Sequence, residues 1–148
     1  MPRMVNGRDF DGMFTENVIV IGQCAFQRCG LTSYLSNIVQ VSTLIADISK
    51  CNNGYVTYYL NPWALDTSFT NPSSAHSYVL EPTRERAIVE YMFFHDYFDE
   101  GILIEGINTY GLLNKGDFSK LYPVADHFGI DHAIVDYWIN EALNDEEV

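Results

Sequence analysis

Between Glu81 and Leu113 the chain reads EPTRERAIVEYMFFHDYFDEGILIEGINTYGLL, and this stretch restricts the fold more than any other. Pro82-Thr83 is a helix start: Thr83 can cap, although Arg86 stands where a complete capping box would have Glu or Gln. Ala87, Ile88, Tyr91, Met92 and His95 then recur at three- and four-residue spacing, which predicts one apolar stripe of a helix. Val89, Phe93 and Phe94 add apolar surface on the flanks, so burial on more than one side is expected. Four carboxylates follow, Asp96, Asp99, Glu100 and Glu105, with Gly101 offering the break before a second helix. A core helix with acids gathered at one end predicts a buried element that also presents a negative edge.

The residues before this stretch favour strands. Residues 1–16 have no periodicity and form an irregular leader in this reading. NVIVIG (17–22) is a short apolar run suited to a buried strand, and Gln23–Cys29 to a short helix closed by Gly30 at C′. NIVQVS (37–42) and YVTYYL (55–60) are rich in β-branched and aromatic residues and predict two more strands. Residues 43–50 fit either a helical turn or a continued strand, and Cys51-Asn52-Asn53-Gly54 is a turn signal. Asn61–Ser77 is loop-like, held to the body by Trp63 and Phe69, and His76–Leu80 can supply a last short strand.

The residues after it favour helices. Gly101–Leu113 places Leu103, Ile104, Ile107 and Tyr110 inward. Asp117 can cap a third helix, stopped by Gly129, in which Pro123 predicts a kink or a late start. Asp131 can cap a fourth helix that buries Ile134, Val135, Trp138, Ile139 and Leu143. Strands first and helices after imply an α+β fold: a small β-sheet from the N-terminal half packed against a C-terminal bundle of about four helices. The expected organisation is a single domain over 1–148, with a strand-rich half (17–80), a helical half (81–143) and an acidic tail (144–148).

Charge divides along the same line. Residues 1–80 carry four basic residues against five acids, whereas residues 81–148 carry four against fifteen, a net −11 of the total −12. Phosphate backbones repel such a surface, so direct nucleic-acid binding is not expected. Complementary potential steers association, so a basic protein partner is expected; the same acidity would also serve solubility. An apolar run of about 18 residues, as a membrane helix needs, is absent, and the N-terminus lacks the apolar core of a secretory signal. The expectation is therefore a cytoplasmic chain without membrane contact. Cys24, Cys29 and Cys51 have no zinc-type spacing and are expected as buried reduced thiols.

Catalytic signatures are sparse. There is no GxxxxGK[ST], no GxGxxG after a strand and no GxSxG. His95 and Asp99, four apart, would share a face on one helix, yet they supply two ligands where a catalytic zinc takes three. His127, Asp131 and His132 straddle the stop at Gly129, and Arg84-Glu85-Arg86 fits a local ion pair at a helix start. No enzyme activity and no cofactor is expected.

One resemblance can be drawn on particular residues. VIVIGQCAFQRCGLTSYLSNIVQVST resembles the strand, small helix, Gly-Leu step and strand of AbiE-type abortive-infection antitoxins. Ala25, Gly30, Leu31, Thr32 and Asn37 fill the corresponding places, with Cys29 where that family often has His. Glu85-Arg86-Ala87-Ile88 looks like the family's helix start. Leu121, Ala125, Phe128, Gly129 and Ile130 resemble its closing helices, from which Pro123 departs. The similarity covers about residues 17–143 and implies a non-enzymatic antitoxin that neutralises a nucleotidyltransferase-like toxin. A counterpart of the family's N-terminal winged helix, which binds operator DNA, is not expected within this chain, and neither is promoter binding. The alternative is a phage anti-defence protein of the anti-CRISPR kind, whose acidic half would occupy a nuclease channel meant for nucleic acid. In either case the expected partner-binding residues are Asp96, Asp99, Glu100 and Glu105. Reversing Asp99 and Glu100 to Lys is expected to weaken binding without touching stability.

Overall fold

Thr83 starts the pivotal helix as its sequence predicts: in a computed structural model its Oγ1 accepts from the Arg86 amide at 3.3 Å. The structure describes residues 18–33, 39–43, 56–72 and 79–145. The leader, the 51–54 turn, Cys51, the undecided segment at 44–50 and the last three acidic-tail positions lie outside those residues.

Among the described residues, five strands and five α-helices form a mixed α+β fold. The strands are β1 (Val18–Ile19), β2 (Val39–Thr43), β3 (Val56–Leu60), β4 (Thr70–Pro72) and β5 (Val79–Pro82). The helices are α1 (Gly22–Arg28), α2 (Arg84–Phe93), α3 (Glu100–Leu113), α4 (Leu121–Phe128) and α5 (His132–Asp145). One sheet runs β1-β5-β4 and the other β2-β3. A bridge between Val20 and Val41 and the bond from Ile21 N to Gln40 O (2.9 Å) join them.

Two strand pairs are parallel. β1 pairs with β5 (Val18 opposite Val79), and β2 with β3 (Val39 opposite Val56 through Thr43 opposite Leu60). Parallel neighbours need a crossover between them, and β1 reaches β5 only after the whole strand-rich half has intervened. β4 forms inside the expected 61–77 loop, because Thr70–Pro72 completes an antiparallel edge on β5, pairing with Leu80–Pro82.

α1 ends as the sequence predicts. Gly30 takes φ 76°, Gly30 N bonds Gln27 O (3.2 Å), and Leu31 N bonds Phe26 O (2.8 Å), which is the Schellman closure. α4 shows the late start: its first helical residue is Leu121, so Pro123 sits in the first turn, where a missing N–H breaks no internal bond. Asp131 caps α5 through Ala133 N at 2.9 Å. On α5 Val135, Trp138 and Ile139 are buried as expected and Ile134 is half-buried, but the last position differs. Ala142 is buried where Leu143 was expected, and Leu143 is 46% exposed.

The core joins both halves. Val18, Val20, Phe26, Leu31, Val39 and Val41 pack in one cluster with Ile88, Tyr91, Met92, Leu103, Ile107 and Val135. α2 lies at its centre, with every residue from Arg86 to Met92 buried. Two of these residues are charged. Arg86 Nε donates to Glu90 Oε1 at 2.7 Å with both side chains essentially inaccessible. The guanidinium also donates to the carbonyls of Trp63 (3.2 Å), Ser68 (2.7 Å) and Asp66, and lies 4.8 Å from the centre of the Phe128 ring. Asn61 donates to the second Glu90 oxygen at 2.6 Å. This pair therefore fastens the 61–69 loop to α2, a role that differs from the local Arg84-Glu85-Arg86 pairing expected from sequence. Arg84 instead donates from Nε to Cys29 O at 2.8 Å.

Candidate functional site

The turn between α2 and α3 carries three of the four predicted partner-binding acids. α2 stops at Phe93, residues His95–Tyr97 form a single 3-10 turn, and α3 starts at Glu100. His95 and Asp99 are therefore not on one helix, which corrects the shared face read from their spacing. The physical reason is Asp99. As N-cap of α3 its carboxylate accepts from Gly101 N (2.7 Å) and Ile102 N (3.3 Å), satisfying orphan donors that a continuous helix would not expose. The break thus falls at 94–99, and Gly101 lies inside the first turn of α3. Tyr91 secures the junction by donating its hydroxyl to Asp99 O at 2.5 Å.

The four acids divide into separate roles. Asp96 and Glu100 are exposed and flank His95, whose Nδ1 lies 3.3 Å and 3.4 Å from them. Asp99 is exposed but engaged as a cap. Glu105 is five residues beyond Glu100, which on a helix places it about 140° further round the axis. There it accepts from Ser33 N at 3.2 Å, on the side of α1. Asp96, Asp99 and Glu100 form one edge, and Glu105 stands apart from it. Reversal of Asp99 to Lys would remove a cap, so it does not leave stability untouched.

Sequence reading missed what lies beside this edge. A cleft of about 610 Å³ opens where the end of α2 and the start of α3 meet the first two turns of α5, with Phe93, His95, Glu100, Asp131, Tyr137 and Trp138 among its lining residues. His95 packs on Trp138 with ring centres 5.1 Å apart, and Tyr137 meets Trp138 edge-on at 5.1 Å. Phe93 rests on Trp63 at 4.9 Å. A second stripe on α5, Ala133, Ile134, Tyr137 and Trp138, was the available signal, since it recurs at helical spacing beside the core face.

Two further His–Asp pairs are local. Asp126 Oδ1 lies 2.6 Å from His132 Nε2 and Asp66 Oδ2 lies 2.8 Å from His127 Nε2. Backbone and side-chain bonds from Ser68, helped by His127, hold the Asp66 carboxyl down at about 2. Burial, with smaller contributions from nearby acids, pushes the Cys29 thiol up to about 11, and burial also raises Cys24. Among the described residues no group of three or more His, Cys, Asp or Glu side chains is arranged to hold a metal ion. No described helix is long and apolar enough to cross a membrane. No protein-family model matches this chain, and no curated protein is similar enough to match it.

Proposed function

We propose that this chain is a non-enzymatic inhibitor that docks its acidic edge on a basic protein partner, in the manner of an antitoxin neutralising a nucleotidyltransferase-like toxin. The observation that supports this reading most is the sorting of charge. Fifteen of the twenty acids belong to residues 81–148, and Asp96, Asp99 and Glu100 meet at one exposed turn. The four cations of that half are elsewhere: Arg86 is buried, Arg84 sits at the head of α2, and Lys115 and Lys120 lie in the α3–α4 connection. An edge that one sign of charge occupies attracts an opposite surface over roughly a Debye length, about 8 Å at physiological salt. Phosphate is repelled by the same field, which favours a protein over a nucleic acid as the partner.

Affinity capture with the purified chain, followed by reconstitution with the recovered protein, tests this. A basic toxin that forms a binary complex and loses activity is the expected result. Recovery of a CRISPR nuclease would keep the mechanism and change the partner. Tight binding to bare duplex nucleic acid, or turnover of a small compound, would overturn the proposal.

A further inference from the structure

We propose that the cleft between the end of α2 and the first turns of α5 receives an arginine side chain of the basic partner. This rests on the docking role just proposed and assigns that role a pocket. Three features favour a cation. Glu100 from α3 and Asp131 from the head of α5 both line the cleft, and neither Lys nor Arg is among its described lining residues. The aromatic walls are unusually open for such large rings: Phe93 is 45% exposed and Tyr137 55% exposed. Ring faces attract cations through their quadrupole, and Phe93 and Tyr137 offer the accessible rings, while Trp138, 6% exposed, backs the cleft from the core. An anion would meet two carboxylates, and a purely apolar group would desolvate them without recompense.

Arginine suits these walls better than lysine. Its planar guanidinium stacks on aromatic faces and presents forked donors to carboxylates, whereas an ammonium is a strongly hydrated point charge. Asp131 can serve while remaining a cap, because the cap to Ala133 N engages only Oδ1. Among the described residues, Glu100 is held by one long contact, of its Oε1 to His95 Nδ1 at 3.4 Å. The volume accommodates an arginine side chain with room for the flanking backbone of a peptide.

The test titrates a fluorescein-labelled tetra-arginine peptide with the full chain and follows anisotropy, using tetra-lysine and tetra-citrulline peptides as comparators. Tyr137→Ala and Asp131→Asn are the informative variants. Tyr137 lies outside the core, and Asn preserves the cap of α5. Glu105→Gln is the control, since Glu105 faces away. The arginine peptide should bind most tightly, the citrulline peptide negligibly, and each cleft variant should weaken arginine binding about fivefold. Glu105→Gln should leave it unchanged. Equal binding by wild type and both cleft variants would overturn the pocket while leaving the acidic-edge reading intact. Equal affinity for lysine and arginine would overturn the assignment of arginine. Absence of binding to any cationic peptide would also overturn the pocket, and the docking role itself fails separately if charge reversal at Asp96 and Glu100 does not release the reconstituted partner.

Discussion

Replacing Arg86 with Met should be among the most damaging single changes in this protein, and its damage should depend on pH. The guanidinium loses its bond to Glu90 and three bonds to the carbonyls of Trp63, Asp66 and Ser68, with no water at hand to substitute at 0% side-chain exposure. Breaking a buried ion pair from one side costs about 3–5 kcal/mol, because the surviving charge stays desolvated. The survivor here is Glu90. Its complete burial raises its carboxyl, against the downward pull of Arg86 and Asn61. Without Arg86 it rises further. The folded variant then takes up a proton at a pH where the unfolded chain, with an ordinary carboxyl at 4.5, does not. Stability relative to wild type should therefore recover as pH falls toward 4.5, since the native state binds more protons in that window. Urea melts at pH 7 and pH 5 measure this directly: the deficit should be several kcal/mol at pH 7 and smaller at pH 5. The double variant Arg86→Met/Glu90→Leu should be more stable than the single one, having no orphaned charge. A single variant within about 1 kcal/mol of wild type, or a double variant no better than the single, would refute this reasoning.

Other consequences are more local. Gly106→Ala should destabilise by about 1–3 kcal/mol despite the better helix propensity of Ala, because its Cβ would meet the Phe26 ring at 2.4 Å; thermal melting checks this. Asp99→Ala should cost about 1 kcal/mol through loss of the α3 cap, whereas Asp99→Asn should cost much less. Asp66, whose carboxyl is held down at about 2, adds stability that is complete above its ordinary value of 3.8 and lost as pH falls from there toward 2. Asp66→Asn should flatten that limb of an acid unfolding curve, and an unchanged limb would contradict the assignment. Native Cys29, pushed up to about 11, should react with an alkylating reagent at pH 8 far more slowly than in the unfolded chain.

Local rules carried most of what was legible in the sequence. The caps at Thr83 and Asp131, the Gly30 closure and the delayed start at Pro123 each depend on a few neighbouring residues, and each is present. Where two local rules compete, spacing alone misleads. The three- and four-residue repeat runs on through His95, yet Asp99 gains more as the cap of a new helix, so the run ends at Phe93. Long-range pairing left no mark of its own. The Val18–Val79 register joins strands 61 residues apart, and nothing in either segment specifies a parallel neighbour. Arg84-Glu85-Arg86 fits a local ion pair at a helix start by sequence, whereas the carbonyls that Arg86 meets come from a loop about twenty residues upstream, a pairing no local rule reveals. The acidic edge was legible as composition, but the aromatic cleft beside it exists only once α5 packs against α2.

The measurement closest to the central claim is the affinity of the reconstituted partner for wild type and for Asp96→Lys/Glu100→Lys, which reverses the edge and spares the Asp99 cap. Acidic docking predicts a loss on the order of tenfold or more, reduced at high salt. Arg84→Glu, placed at the far end of α2, should leave affinity unchanged. Full affinity after the double reversal would contradict docking through this edge.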